Sequence, residues 1–245
     1  MSSRGALLKT AVLAGLIAGA VASIFHLALT EPVIERAIRL EEPRGRSSDA
    51  SPAAPLVSRA VQQVGLVVGL LLYGAIWGLL FGVAYCLVER HVEAPTPGLR
   101  GPLTAGLVGW SVALFPFLKY PANPPGVGDP ATVGQRQALY VGLVALSVVG
   151  VLLALGIRRT LVSVKAAPAS ERWGWPVALG IYALYLAAVY ALMPATRDPV
   201  EVPIRLVWTF RGVSFAGLVL FWGVLAVAFA WLARRQARSE EHTSE

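Results

Sequence analysis

Long apolar runs separated by short polar connectors make up most of this chain. Six runs have about the length, roughly 20 residues, that a helix needs to cross a hydrocarbon core of about 30 Å. They cover residues 9–29, 61–88, 102–118, 137–157, 175–193 and 212–232. Acidic and basic side chains are confined to the ends of these runs. The pattern therefore predicts an all-α, polytopic membrane bundle of about six transmembrane helices.

Composition supports this class of protein. Of the 245 residues, 56% are hydrophobic and only 14% are charged, whereas soluble domains carry about a quarter charged residues. Because the spans leave little chain for a soluble unit, we predict a single integral-membrane domain over residues 1–237. The formal net charge of +7 fits contact with anionic membrane lipid. We predict no nucleic-acid partner, because no basic surface remains once the spans are buried.

The first run has a second interpretation. Arg4 and Lys9 precede the apolar residues, and Ala20-Val21-Ala22 resembles the small-residue cleavage site of a signal peptide. The apolar run continues past that site to Leu29, which favours an uncleaved helix. Cleavage would leave five spans and an N-terminus on the outside.

Lysine and arginine flank the predicted spans on both sides of the membrane. With the N-terminus inside, the cytoplasmic and outer segments carry nearly equal numbers of them, so the positive-inside bias does not set the orientation by count alone. The pairs Arg158-Arg159 and Arg234-Arg235 lie at span ends, whereas the first outer loop mixes its arginines with acids. We therefore predict that both termini are cytoplasmic.

Small residues form a ridge on each of the first two runs. The positions are Gly65, Gly69, Gly74, Gly78 and Gly82 in the second run, and Gly15, Gly19 and Ser23 in the first. Small residues at this spacing let helix backbones approach closely in a membrane. We predict that these faces pack against other helices rather than lipid, through general packing or a specific dimer seam.

A histidine and two acids lie where the first run passes into the first outer connector. His26 lies near the end of the first run, and Glu31 and Glu35 follow it, four residues apart. If Pro32 opens a short helix, both carboxylates lie on one face of that helix. Residues 47–55, SSDASPAAP, predict a flexible surface loop.

The second outer connector, residues 115–130, reads FPFLKYPANPPGVGDP. Proline restricts its own φ and the conformation of the preceding residue, so the loop is preorganised. Asn123 and Asp129 offer oxygen atoms as candidate ligands for a cation. The residues that shape the loop are Lys119, Tyr120, Pro121, Pro124, Pro125, Gly126 and Gly128. Two interpretations stay open, a rigid lid that closes the bundle and a surface that contacts a ligand.

The third outer connector, residues 194–212, reads PATRDPVEVPIRLVWTFRG. It carries the acids Asp198 and Glu201, followed by Arg205, Trp208 and Arg211 as candidate residues of an outer vestibule. Aromatic and arginine side chains at this depth commonly anchor a helix at the membrane interface. In the alternative, Arg211 neutralises one of the two acids. On the predicted topology all three connectors face the same compartment.

These connectors resemble those of a known family. The stretch LKYPANPPGVGDP before a span, EVPIRLVWTFRGVS before the last span, and a leading span that ends near an acidic stretch resemble the CbtA family of predicted cobalt-transporter subunits. The resemblance extends from Lys9 to about Trp231. It implies a multi-pass protein of the bacterial inner membrane that takes up cobalt for cobalamin synthesis. It also implies a partner, the small histidine-bearing, one-span protein CbtB.

The polar side chains of the outer connectors are of the kinds that bind cobalt. Cobalt(II) accepts imidazole and carboxylate ligands, and transport requires weak, successive sites. The metal or ion-path candidates are His26, Glu31, Glu35, Asn123, Asp129, Asp198 and Glu201. A single histidine is few for cobalt, and a CbtB-like partner would supply more imidazoles. His26 itself is either a satisfied or path-lining hydrogen-bonding residue or a direct metal ligand.

The sequence contains no GxxxxGK[ST] loop, no HExxH and no CxxC motif. We therefore predict neither an enzyme nor a permanently bound cofactor, and take the cobalt ion as the substrate. The alternative function is a noncatalytic membrane scaffold or assembly partner that conducts nothing.

The last eight residues, RSEEHTSE, resemble the translation of a sequencing adapter. We predict that residues 238–245 are a non-native or disordered tail, and we expect no metal-binding role for His242.

Overall fold

The structure is a computed structural model in which residues 4–45, 58–89, 92, 94, 96–163, 169–196, 199–200 and 202–243 are described. Within these ranges six helices are long and apolar enough to cross a membrane. The α-helical segments are α1 Arg4–Phe25, α2 Glu31–Gly45, α3 Arg59–Val88, α4 Arg100–Gly109, α5 Phe115–Lys119, α6 Val133–Ser163, α7 Ala169–Leu192 and α8 Ile204–Thr243. The predicted all-α, six-helix membrane bundle is confirmed.

The observed spans match the predicted ones in order, and most are longer. They cover Arg4–Leu40, Arg59–Val88, Arg100–Lys119, Pro130–Leu161, Trp173–Leu192 and Ile204–Ser239. The first and last differ most, because α2 carries the first span past residue 29 and α8 begins at Ile204 rather than near residue 212. The predicted spans end where polar residues begin, whereas the helices of the structure continue through those polar residues. α8 also includes residues 238–243, so the structure assigns helix to most of the predicted tail.

Two of the described spans contain a π-helical turn that ends two residues before a proline. The turns are His26–Thr30, between α1 and α2, and Trp110–Leu114, between α4 and α5. In each, the amide that follows the turn donates to the carbonyl five residues earlier, Glu31 to His26 and Phe115 to Trp110. Proline lacks an amide hydrogen and crowds the preceding turn, and the wider turn accommodates it. Pro32 therefore continues the first helix instead of opening a separate one.

α1 and α3 pack with their backbones in direct contact. A Cβ added at Gly78 would lie 3.0 Å from the Cα of Val12, and one added at Gly74 would lie 3.2 Å from the Cα of Gly19. The small residues of α1 that complete this interface are fully buried: Ala11, Ala14 and Ala18. The predicted ridge is therefore a seam within one chain. Gly65 and Gly69 do not belong to it, because nothing lies within 4 Å of a Cβ at either position.

α8 packs against α1 and α4, and its aromatic rings meet a row of rings on α3. Phe81 and Phe229 meet edge to face, with centroids 4.9 Å apart, and Trp77 meets Trp222 at 5.6 Å. On the α4 side, a Cβ at Gly109 would lie 2.6 Å from the Trp222 ring. Edge-to-face pairs of this kind add to the packing energy of the core. α8 is thus the central helix of this group.

α6 and α7 form the second part of the bundle. Leu143 of α6 packs with Leu186 and Val189 of α7 and with Phe115 of α5. The Trp110 indole nitrogen, in the second π-turn, donates to the Tyr182 hydroxyl oxygen at 2.9 Å. The span formed by α4 and α5 therefore joins α8 on one side to α6 and α7 on the other.

Candidate functional site

Polar connectors from three parts of the chain meet at one end of the bundle, which we call the outer end. α2 and the start of α8 line a common groove that includes Arg36 and Pro203. The second connector pairs with the third through an isolated antiparallel bridge between Val127 and Val200. The prediction that these connectors lie on one side of the membrane agrees with this arrangement. Asp198 and Glu201, two of the predicted ion-path residues, lie outside the described residues.

His26 opens the π-turn of the first span, just below the outer end. Its Nδ1 lies 2.8 Å from the Thr30 hydroxyl oxygen, a hydrogen bond along the helix. The other side of the ring faces α8, because a Cβ at Gly217 would lie 2.7 Å from Nε2. Phe25 meets the imidazole edge to face, with centroids 5.4 Å apart. The ring is therefore held at Nδ1, and Nε2 lies at the contact between the first and last spans.

The two predicted carboxylates of α2 are paired with arginine. Glu31 is buried and accepts from the Arg59 guanidinium at the start of α3. Glu35 lies 4.0 Å from the same guanidinium and 3.6 Å from that of Arg39. Both carboxylates are therefore partly neutralised by arginine. Arg59 also links α2 to the start of α3.

The second outer connector is tied down at its beginning. Lys119 donates to the Tyr190 carbonyl oxygen at 2.8 Å, and its ammonium lies 4.6 Å from the centroid of the Tyr190 ring. The Tyr120 hydroxyl donates to the Pro194 carbonyl oxygen at 2.6 Å. Burial raises the pKa of Tyr120, which keeps the phenol protonated as a donor. Both residues thus hold the loop to the end of α7.

The middle of the same loop is held to α8 and to the third connector. The Arg211 guanidinium donates to the Asn123 side-chain oxygen at 2.8 Å, and Pro124 is fully buried. The Gly128 amide donates to the Pro199 carbonyl oxygen at 3.1 Å. Gly126 and Gly128 have φ values of 77° and 104°, a region that side chains disfavour. The loop is therefore held by contacts to α8 and to the third connector.

Asp129 caps the short 3-10 turn Pro130–Thr132 that leads into α6. Its side chain accepts from the Ala131 amide at 2.8 Å, and its carbonyl oxygen accepts from Arg136 at 3.2 Å. Pro121 and Asn123 line a cavity of about 610 Å³ beside Arg136. The carboxylate is thus a cap, exposed at the rim of the outer end.

The three predicted vestibule residues occupy the first turns of α8. Trp208 is 64% exposed, and the Arg211 guanidinium lies 5.5 Å from its ring centroid. Arg205 is exposed and lines the groove beside α2. Arg211 contacts Asn123, whereas the acids proposed as its partners fall outside the described part of the chain.

The described residues of the outer end form an ordered polar surface. Among the described residues, no group of three or more His, Cys, Asp or Glu is arranged to hold a metal ion. His26 and Glu31 lie on one helix, and Asn123 is brought to α8 by Arg211. Of the predicted carboxylate ligands that the structure describes, Glu31 and Glu35 contact arginine and Asp129 caps a turn.

Several residues of this surface were not singled out from the sequence. Thr30 lies four residues after His26, a spacing that places both on one helix face, so the pattern contained that signal. Arg59, Gly217 and Tyr190 meet their partners across long sequence separations. No local pattern indicates such contacts.

Comparisons with known proteins address the chain as a whole. The family model described as "Probable cobalt transporter subunit (CbtA)" matches residues 5–234. No curated protein and no solved structure matches the chain. The matched range contains all six spans up to the last turns of α8, together with the three outer connectors. This chain therefore belongs to the CbtA family of probable cobalt transporter subunits.

Proposed function

We propose that this chain is the multi-pass subunit of a cobalt-uptake system in the bacterial inner membrane, and that the cobalt it imports supports cobalamin synthesis. Family membership supports the substrate, and the ordered outer end supports a path that begins there. Both termini lie in the cytoplasm in this proposal. The chain has a transport role rather than a catalytic one.

The His26–Thr30 pair is the observation that carries the proposal. A histidine that binds a metal usually bonds through its second ring nitrogen to an oxygen, which fixes the orientation of the ring. The 2.8 Å contact between His26 Nδ1 and Thr30 Oγ1 has this form. Nε2 is then the nitrogen available to cobalt, at the contact with Gly217 of α8.

A partner subunit completes the coordination in this proposal. One imidazole does not hold cobalt(II) well, and Glu31 and Glu35 already share Arg59. A small, histidine-bearing, one-span protein of the CbtB type would bring further imidazoles to the outer end. Ligands divided between two chains give weak sites, from which an ion can leave as well as enter.

Uptake of radioactive cobalt by cells tests the function. We expect uptake when this chain is expressed together with the small partner. His26→Ala lowers uptake at least tenfold, and Thr30→Val lowers it by about 10-fold, because loss of an orienting oxygen typically costs 10–100-fold in metal affinity or activity. Ile24→Ala is the matched control, since Ile24 lies on the same helix and is 70% exposed.

One result separates transport from the alternative, a scaffold that conducts nothing. A triple variant replaces His26, Asp129 and Glu201 with alanine. If cobalt uptake with the partner stays at the level of the unchanged protein while expression is equal, the chain assembles a complex but does not form the path.

A further inference from the structure

A groove between α2 and the start of α8 is lined by neither His26 nor residues of the second outer connector. It has a volume of about 730 Å³. The lining residues that matter here are three arginines and three apolar residues, namely Arg36, Arg39, Arg205, Leu40, Pro203 and Leu206. Arg36 and Arg39 are one turn apart on α2, and Arg205 faces them from the first turn of α8. Positive charge from two helices thus converges on a partly apolar groove.

The positive charge of this groove has little compensation from the described residues. Arg36 and Arg205 form no ion pair within the described part of the chain. Arg39 lies 3.6 Å from Glu35, but its side chain is 78% exposed, and exposed pairs of this kind are weak. The Glu35 carboxylate is also shared with Arg59. Within the described part of the chain, the side chains that line the groove therefore suit an anion better than a cation.

The residues beside the groove are of types that concentrate at the depth of lipid headgroups. Trp208 follows Arg205 by one turn of α8 and is 64% exposed, and tryptophan side chains concentrate at the membrane–water interface. Leu40 is exposed within the groove, which would be unfavourable if only water filled it. Arginine at this depth extends its guanidinium towards phosphate while its stem stays on apolar surface.

We propose that this groove binds the phosphate group of an anionic phospholipid. The three guanidinium groups hold the phosphate oxygens, a contact to which the planar, multiply donating arginine side chain is suited. Leu40, Pro203 and Leu206 contact the glycerol backbone and the first carbons of the acyl chains. The apolar half of the lining favours a lipid over free phosphate, which has no apolar part. A bound lipid would join α2 to α8 and so stabilise the contact between the first and last spans.

Lipid titration of the purified, delipidated full chain in neutral detergent tests this site. Native mass spectrometry counts the phosphatidylglycerol molecules that stay bound, with phosphatidylcholine as the zwitterionic comparison. A basic residue near an anionic membrane surface contributes about 1 kcal/mol, which corresponds to about fivefold in affinity per arginine. We therefore expect R36Q/R39Q/R205Q to weaken the tightest phosphatidylglycerol site by on the order of 100-fold.

A matched control removes the same charge from the opposite end of the bundle. R159Q/R235Q/R238Q also replaces three arginines with glutamine, and it should leave the tightest site unchanged. Thermal unfolding without lipid checks that both variants are folded. In the unchanged protein, phosphatidylglycerol should raise the unfolding temperature, and the outer triple variant should lose that response.

Three outcomes overturn the proposal. Equal weakening by the two triple variants, or no weakening by the outer one, means that the groove is not the lipid site. Displacement of phosphatidylglycerol by millimolar inorganic phosphate assigns the groove to a soluble phosphate compound instead.

Discussion

Gly78 illustrates, at the scale of one residue, how closely the first two spans approach. A Cβ at this position would lie 3.0 Å from the Cα of Val12 and still closer to the Ala11 carbonyl oxygen. Both obstacles are backbone atoms, which cannot move aside as a flexible side chain can. Overpacking of a tight interface typically costs 1–3 kcal/mol. Gly78→Ala should therefore lower the free energy of unfolding by about 1–3 kcal/mol, measured by denaturant titration in detergent.

Gly69 is the matched control for that experiment. It lies on the same helix, is exposed, and has nothing within 4 Å of an added Cβ. Because alanine favours helix over glycine, Gly69→Ala should be neutral or should stabilise by up to about 1 kcal/mol. Equal losses in the two variants would mean that the seam between α1 and α3 does not determine the effect.

At the scale of the element, the second outer connector shows that a segment with little regular structure can be held in one place by side-chain hydrogen bonds. Lys119 and Tyr120 fix its start to the end of α7, and Asn123 fixes its middle to α8. Proline alone limits the conformations of a loop, but it does not choose the surface on which the loop lies. The long-range hydrogen bonds make that choice. The loop thus connects the second part of the bundle to the central helix.

Cysteine cross-linking tests the pairing of the second and third connectors. Val127 and Val200 form an antiparallel bridge, in which paired Cα atoms lie about 4.5–5.5 Å apart, within the range that a disulfide requires. In a Cys86→Ser background, Val127→Cys with Val200→Cys should form a disulfide under mild oxidation. A mass shift after reduction and alkylation reports its yield.

Leu99→Cys with Val200→Cys is the control pair, because Leu99 precedes α4 at the opposite end of the bundle. It should remain reduced. If the thiol of the Val127→Cys variant stays free under conditions that oxidise exposed cysteines elsewhere, the second and third connectors are not paired as the structure has them.

At the scale of the whole molecule, the number and order of the spans could be predicted because they depend on a local property. An apolar run of about 20 residues crosses a bilayer wherever it occurs in the chain. The ends of the spans are harder to predict, because α2 and α8 continue as helices through polar residues such as Glu31 and Arg205. There the helix is maintained by packing and hydrogen bonds rather than by hydropathy.

The candidate site was predictable in its residue types and less so in its contacts. The sequence indicated His26, the rigid loop and the vestibule residues of α8. It did not indicate that Arg59 pairs with Glu31 or that Gly217 faces His26, because both contacts depend on how separate helices are arranged. The sequence offers the carboxylates as free ligands, whereas in the structure Glu31 and Glu35 contact arginine and Asp129 caps the turn that follows it.

The orientation of the bundle is a property of the whole chain that depends on small differences. Basic residues are numerous at both ends, and the prediction of cytoplasmic termini rests on the arginine pairs that lie directly at span ends. Ala122 lies in the outer loop and Arg238 near the end of α8, and both are exposed. In a Cys86→Ser background, Ala122→Cys should react with a membrane-impermeant maleimide in intact spheroplasts, whereas Arg238→Cys should react only after permeabilisation. The reverse pattern would place the outer end in the cytoplasm, and the proposed path would then begin on the wrong side of the membrane for uptake.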